Sequence, residues 1–179
     1  MSISHAFQLV PFYPCASVTD LSGIFSLKDS FIRIQITQRG DTNQTHWPIH
    51  PPERTKGLWE DTCYEFFLGR INQPDYLEVN LSPAGAWNSF AFTDVRTDMR
   101  ETDMMILSSW EYRCSSKQAQ FSAELQHHLP PGNYQLGIST VIKETTGKRY
   151  YFALQHEGIQ PDFHDRRGWR IQLPLTEQT

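Results

Sequence analysis

A chain of 179 residues with a formal charge of −4 and a pI near 5.9 carries no basic surplus, which argues against nucleic acid or an anionic membrane as a partner. Its length suits one domain over residues 1–179, with a core that needs no staple, and no apolar run is long enough to span a bilayer. Cys15, Cys63 and Cys114 form neither a disulfide framework nor a zinc pattern, and the start lacks a charged-then-apolar leader, so a soluble cytoplasmic protein is expected.

Hydrophobic residues recur mainly with a period of two, the spacing of strands. Short strands are predicted at 24–27, 31–36, 58–68, 76–81, 86–92, 106–113, 117–125, 133–143, 149–155 and 169–173. Residues 1–20 and 174–179 contribute least to this pattern. Turn chemistry separates the runs at 82–85 (SPAG), 130–133 (PPGN) and 146–147 (TG). About ten short strands with turns at close intervals predict an all-β fold, an antiparallel β-sandwich or barrel. Helix signals are few, a short turn within 123–129 and another within 96–105.

The stretch GLWEDTCYEFFL, residues 57–68, is the first to raise a chemical question. Read as a strand, it places Leu58, Glu60, Thr62, Tyr64, Phe66 and Leu68 on one face. Trp59, Asp61, Cys63, Glu65 and Phe67 fall on the other. Neither face is purely polar, so the strand is expected to be central and covered on both sides, where unpartnered carboxylates are costly.

The run YLEVNLSPAGAWNSFAF reads as a hairpin. With Leu81 opposite Ala86, Asn80 faces Trp87, Glu78 faces Ser89 and Tyr76 faces Ala91. Asn88 then falls on the apolar side, which leaves a bulge or a different register open. Beside this hairpin, the strand 58–68 would add Trp59, Asp61 and Glu65 to a surface carrying Tyr76, Glu78, Asn80 and Trp87. Aromatic rings that stack on the C–H face of a pyranose, interleaved with acids and an amide that bond hydroxyls, suit a sugar. The alternative is aromatics in the core and acids at its rim.

Asp61 and Glu65 on one extended strand would lie roughly 13 Å apart, too far for a glycosidase pair. A cross-strand pair of Glu65 and Glu78 could approach to about 5 Å, which keeps an enzyme using Asp61, Glu65 and Glu78 as an alternative. No EF-hand loop, nucleophile elbow, P-loop or dinucleotide fingerprint is present, so no catalytic or metal-ligating residue is assigned. Cys63 reads as a small buried hydrophobe.

A long loop, residues 156–169, holds His156, Asp162, His164 and Asp165. Its H-x5-D-x-H spacing fits no zinc template. The expectation is an Asp fixing a His by a hydrogen bond, with Pro161 and Phe163 anchoring the loop, which is longer than a structureless hairpin needs.

GLWEDTCYEFFL, then YLEVNLSPAGAWNSFAF followed by Asp94, Arg96 and Met99, then RYYFALQHEGIQPDFH, resemble the stand-alone DOMON-like proteins of bacteria, which are related to family 9 carbohydrate-binding modules. The matching motifs span roughly residues 20 to 174. The resemblance implies a jelly-roll-like β-sandwich that binds a ligand rather than catalysing a reaction. It points to a saccharide or sugar-like small molecule and to Trp59 and Trp87 as sugar platforms. Because DOMON relatives also bind haem, it adds a haem-binding redox module as an alternative, with axial ligands drawn from Met99, Met104, Met105, His156 or His164.

Overall fold

The computed structural model describes residues 2–175. Its strands are β1 (Ser2–Gln8), β2 (Val10–Pro11), β3 (Val18–Lys28), β4 (Phe31–Gly40), β5 (Cys63–Arg70), β6 (Tyr76–Leu81) and β7 (Trp87–Phe92). They continue as β8 (Arg100–Glu101), β9 (Met105–Ser115), β10 (Gln118–His127), β11 (Gly132–Lys143), β12 (Arg149–Ala153) and β13 (Ile171–Leu175). The fold is an all-β sandwich of two antiparallel sheets. One has the order β1-β3-β4-β10-β9; the other runs β2-β12-β11-β5-β6-β7-β8, with β13 also on β11. Among the described residues no helix is long and apolar enough to cross a membrane.

Period-two alternation builds the core. Ala119, Phe121, Ala123 and Leu125 of β10 are all buried, as are Tyr134, Leu136, Ile138 and Ile142 of β11. They meet Phe25, Ile32, Ile34 and Ile36 from the first sheet and Tyr64, Phe66 and Leu68 from the second. Aromatic pairs join the sheets directly. Phe25 meets Phe66 with ring centroids 5.5 Å apart, and Tyr64 meets Phe121 at 4.7 Å.

Three features depart from the sequence reading. Residues 123–127 continue β10 instead of turning helically, because Ala123 and Leu125 pair with Ile34 and Ile32 of β4. Strand β1, in the weakly patterned N-terminal segment, pairs with β3 from Ser2–Lys28 to Gln8–Ser22. Residues 58–60 are not strand. Gly57 adopts a left-handed φ of 77° and Leu58–Glu60 forms a 3-10 turn, so β5 begins only at Cys63.

The edge of β11 explains the long loop. Its first half, Gly132 to Leu136, pairs with β13, and its second half, Ser139 to Lys143, pairs with β12. Two strands thus lie end to end along one neighbour, and the connection between them folds back over the sheet's outer face. Gly137 sits at that junction, where a Cβ would collide with the indole of Trp169. Trp169 itself stacks on Phe67 with ring centroids 5.6 Å apart, and its Nε1–H donates to the Phe163 carbonyl at 2.9 Å.

Candidate ligand-binding site

The outer face of the second sheet forms a polar floor. Residues opposite one another in antiparallel strands share a face. Ser139 pairs with Glu65, Glu65 with Asn80, and Asn80 with Asn88, giving a polar row across four strands. The next row aligns Gly137, Phe67, Glu78 and Phe90. Glu65 and Glu78 are therefore diagonal neighbours on one floor, not a directly opposed pair.

Glu65 is 3% exposed and Glu78 5% exposed. Asn80 Nδ2 donates to Glu78 Oε1 at 2.7 Å. Glu65 Oε1, Asn80 Oδ1 and Ser139 Oγ have no hydrogen-bond partner among the described residues. Orphaned buried oxygens are rare and costly, which makes this row a candidate for donors from a ligand.

Above the floor lies a cavity of about 470 Å³. Trp59, Phe92, Tyr151 and Phe163 supply aromatic walls, and Arg96, Arg149 and His164 supply polar ones. Trp59 reaches the cavity from the 58–60 turn and rests edge-on against Phe90, 6.1 Å between centroids. Asp61 fixes that turn. It accepts from His46 Nδ1 at 2.8 Å and from the Thr62 N–H at 2.9 Å, and pairs with Lys143 Nζ at 3.5 Å. Burial pushes the Asp61 pKa up, but these partners outweigh it and hold it below the ordinary carboxylate range.

His164 is held in a box of Phe67, Tyr76 and Phe92, with ring centroids 5.2, 5.7 and 5.4 Å from its own. The Arg96 backbone N–H donates to the Tyr76 hydroxyl at 3.1 Å, and that hydroxyl lies 2.6 Å from His164 Nδ1. Donation from the hydroxyl to Nδ1 gives its proton a partner and assigns the imidazole proton to Nε2. Nε2 faces Glu78 Oε2 at 3.6 Å, beyond normal hydrogen-bond length.

Burial lowers the His164 pKa to about 4, with Arg96 adding to the effect and Asp162 opposing it. Burial raises both acids. Glu65 stands well above the usual carboxylate range, with the charge of Glu78 pushing it further. Glu78 is lifted to about 7 although Asn80 and Arg96 pull it down. The His164–Glu78 contact is therefore not an ion pair of full charges at neutral pH: the imidazole is neutral and the acid is near its midpoint.

The loop walls have identifiable supports. Asp162 accepts the His164 backbone N–H at 3.0 Å, so it fixes the chain at His164 while Tyr76 holds the ring, and its two carboxylate oxygens engage Arg96 at 3.2 and 3.0 Å. Arg96 and Asp98 have left-handed φ values of 52° and 54°, uncommon for residues other than glycine. Strain in a segment lining a cavity is typical of binding sites.

Of the residues singled out in the sequence, Trp59, Glu65, Glu78 and His164 line the cavity. Tyr76, Asn80 and Asp162 stand directly behind them as hydrogen-bond partners. Trp87 does not join them. The connection is five residues, 82–86, and Leu81 pairs with Trp87, so the hairpin register is shifted by one from Leu81 opposite Ala86. That shift turns Trp87 toward the core side, beneath the Arg54 guanidinium at 4.6 Å, and turns Asn88 to the outer face. Asp61 supports the Trp59 turn without lining the cavity. His156 lies elsewhere, with Nε2 3.0 Å from the Val10 carbonyl oxygen.

The haem ligands proposed from sequence do not converge. Met105 is in the core, Met104 lines a different depression with Leu129 and Tyr134, and His156 is at the Val10 edge. Met99 and His164 do share the cavity, but both His164 nitrogens face protein groups, Tyr76 and Glu78. These residues do not fit axial ligation. Among the described residues no three His, Cys, Asp or Glu side chains form a candidate metal site.

Sequence reasoning missed Phe92, Arg149 and Tyr151 as lining residues. A signal for two of them existed: in RYYF, Tyr150 and Phe152 belong to the core, so alternation sends Arg149 and Tyr151 to the opposite face.

The sequence matches no protein-family model and no curated protein. Its fold does have solved counterparts. A Bacteroides uniformis ATCC 8492 protein proposed to be carbohydrate-binding superposes with a TM-score of 0.71 at 11% identity, covering 95% of this chain and 85% of that one. A family 9 carbohydrate-binding module from Caldicellulosiruptor kristjanssonii in complex with glucose gives 0.52 at 7% identity, covering 89% and 78%. A family 9 module from the same organism in complex with cellotriose gives 0.53 at 6% identity, covering 98% and 84%. The chain thus shares the β-sandwich fold of family 9 carbohydrate-binding modules.

Proposed function

We propose that this chain is a non-catalytic binding protein for a saccharide or sugar-like small molecule, held in the cavity over Glu65 and Glu78. The observation that carries this reading is a buried acceptor oxygen, Glu65 Oε1, without a partner on the floor of an aromatic-walled cavity. Hydroxyls of a polyol supply donors to such a floor, and Trp59, Phe92, Tyr151 and Phe163 offer faces or edges to sugar C–H groups. The fold shared with modules solved in complex with glucose and cellotriose, and the resemblance to DOMON-like proteins, support the same reading.

The floor's geometry supports binding over catalysis. Glycosidase carboxyls flank the scissile bond, whereas Glu65 and Glu78 lie side by side beneath any ring resting on the sheet. Asp61 is committed to His46 and Lys143.

Calorimetric titration with glucose, cellotriose and a wider glycan panel tests the proposal, using wild type, Trp59→Ala and Glu65→Gln. Binding that weakens about three- to tenfold in both variants is expected, in the range for losing a stacking face or a hydrogen bond. Affinity unchanged by either substitution would remove this cavity as the site.

A further inference from the structure

The floor has a charge pattern that a neutral sugar does not complete. Two carboxyl groups stand as diagonal neighbours, 3% and 5% exposed, and among the described residues no lysine or arginine forms an ion pair with either. The Arg96 guanidinium is taken by both oxygens of Asp162. Arg149 is exposed at the end of β12, and His164 is half-buried with Nδ1 bound to Tyr76. Lys143, further along the same face of β11, is paired with Asp61.

Two oxygens on the floor lack a donor at hydrogen-bond distance. Glu65 Oε1 has no partner among the described residues, and Glu78 Oε2 has its nearest donor, His164 Nε2, at 3.6 Å. In the free protein burial raises both acids, which reduces the charge they place on each other. A ligand that brings a positive charge and several N–H donors to this spot replaces those protons. A primary ammonium group has three such donors. The aromatic rings of Trp59 and Phe92 on the walls also favour a cation, through their negative π faces. A divalent metal ion is a poorer match, because no third acidic, His or Cys ligand joins the pair among the described residues.

The geometry points to an amino sugar as the ligand class: a saccharide whose ammonium group rests on Glu65 and Glu78 while its ring lies among Trp59, Phe92 and Phe163. This rests on the saccharide reading above and narrows it. An N-acetyl group would not substitute, since the amide carries no charge and a single N–H.

The test compares matched ligands by calorimetric titration at neutral pH and low salt: glucose against glucosamine, and cellotriose against the β-1,4 glucosamine trimer. N-acetylglucosamine serves as the uncharged control, and wild type is run beside Glu65→Gln, with thermal melting to confirm that the variant is folded. The amino member of each pair is expected to bind about ten- to a hundredfold tighter to wild type, the range for a buried charge-assisted hydrogen bond. In Glu65→Gln that preference is expected to fall to near parity.

Parity in wild type, or preference for the neutral member, overturns the amino-sugar inference and leaves the saccharide reading standing. A preference that survives in folded Glu65→Gln overturns the assignment of the ammonium to this floor. Binding by no member of either pair overturns both readings.

Discussion

Replacing Glu78 by glutamine separates the cost of burying a titratable acid from the cost of the fold around it. Glutamine keeps the shape and can still accept from Asn80 Nδ2, now at 2.7 Å from Glu78 Oε1. It removes only the ionisation. In the unfolded chain Glu78 releases its proton near the ordinary value of 4.5, whereas in the folded protein it holds it to about 7. Between those values the native state binds more protons than the unfolded state, so stability falls as pH rises. Below 4.5 the penalty is absent, and above about 7 it is complete. At ~1.4 kcal/mol per pKa unit, the shift corresponds to roughly 3 kcal/mol. For a chain of this size that is about 6–12 °C in Tm.

Paired thermal melts of wild type and Glu78→Gln across this range are the assay. The curves are expected to lie close together in acid, with the variant progressively more stable as pH rises, and the gap levelling off above neutrality. His164 contributes an opposite slope in acid. Its pKa is lowered to about 4, so the unfolded state takes up a proton near 6.5 that the native state refuses, and stability falls as pH drops through that interval. Both proteins carry His164, so its contribution largely cancels in the difference. A difference that does not change with pH would refute the reasoning, since a loss or gain of packing alone is blind to proton concentration.

Other substitutions probe the architecture of the site. Trp87→Ala is expected to cost about 2 kcal/mol in denaturant unfolding, through lost core packing and the lost Arg54 contact, and to leave ligand affinity unchanged. A large affinity loss there would contradict the observed hairpin register. Gly137→Ala forces a Cβ into the Trp169 indole, so the near-UV dichroism of that tryptophan and the affinity should both change. An unaltered spectrum would mean the loop is not seated on this glycine. Asp61→Ala should accelerate hydrogen exchange at the Glu60 and Asp61 amides, which bond to Gly57 and Leu58, and cost about 1–2 kcal/mol. Unchanged exchange at those two amides would show that the turn holds without its carboxylate.

How much of this was legible in the sequence depends on the range of the interaction involved. Alternation alone marks residues 117–125 and 133–143 as strands and names their buried faces correctly, because a side chain's face in a strand depends only on its position in the chain. The mixed pattern of β5 likewise announces a strand covered on both sides, and all but its last residue are buried. The acids at 65 and 78 stand out for a local reason too, as charges in runs that are otherwise apolar.

The limits appear where a neighbour decides. Reading the turn at 82–86 as four residues instead of five shifts the hairpin by one and exchanges Trp87 for Asn88 on the ligand face. The polar Asn88 on an apolar face was the one local warning. At 58–60, strand-forming residues make a 3-10 turn because Gly57 takes a left-handed conformation and Asp61 is held by His46 and Lys143, which come from distant parts of the chain.

The sequence by itself determined the all-β class, the inward faces of the long strands and the presence of carboxyl groups where burial makes them chemically consequential. Tertiary structure decided which of those groups meet. Only the end-to-end placement of β12 and β13 along β11 brings the 154–170 segment over the sheet and sets His164 against Tyr76 and Glu78. Alternation is a property of the backbone's own geometry, whereas a cavity is made by segments far apart in the chain, whose meeting no local pattern encodes.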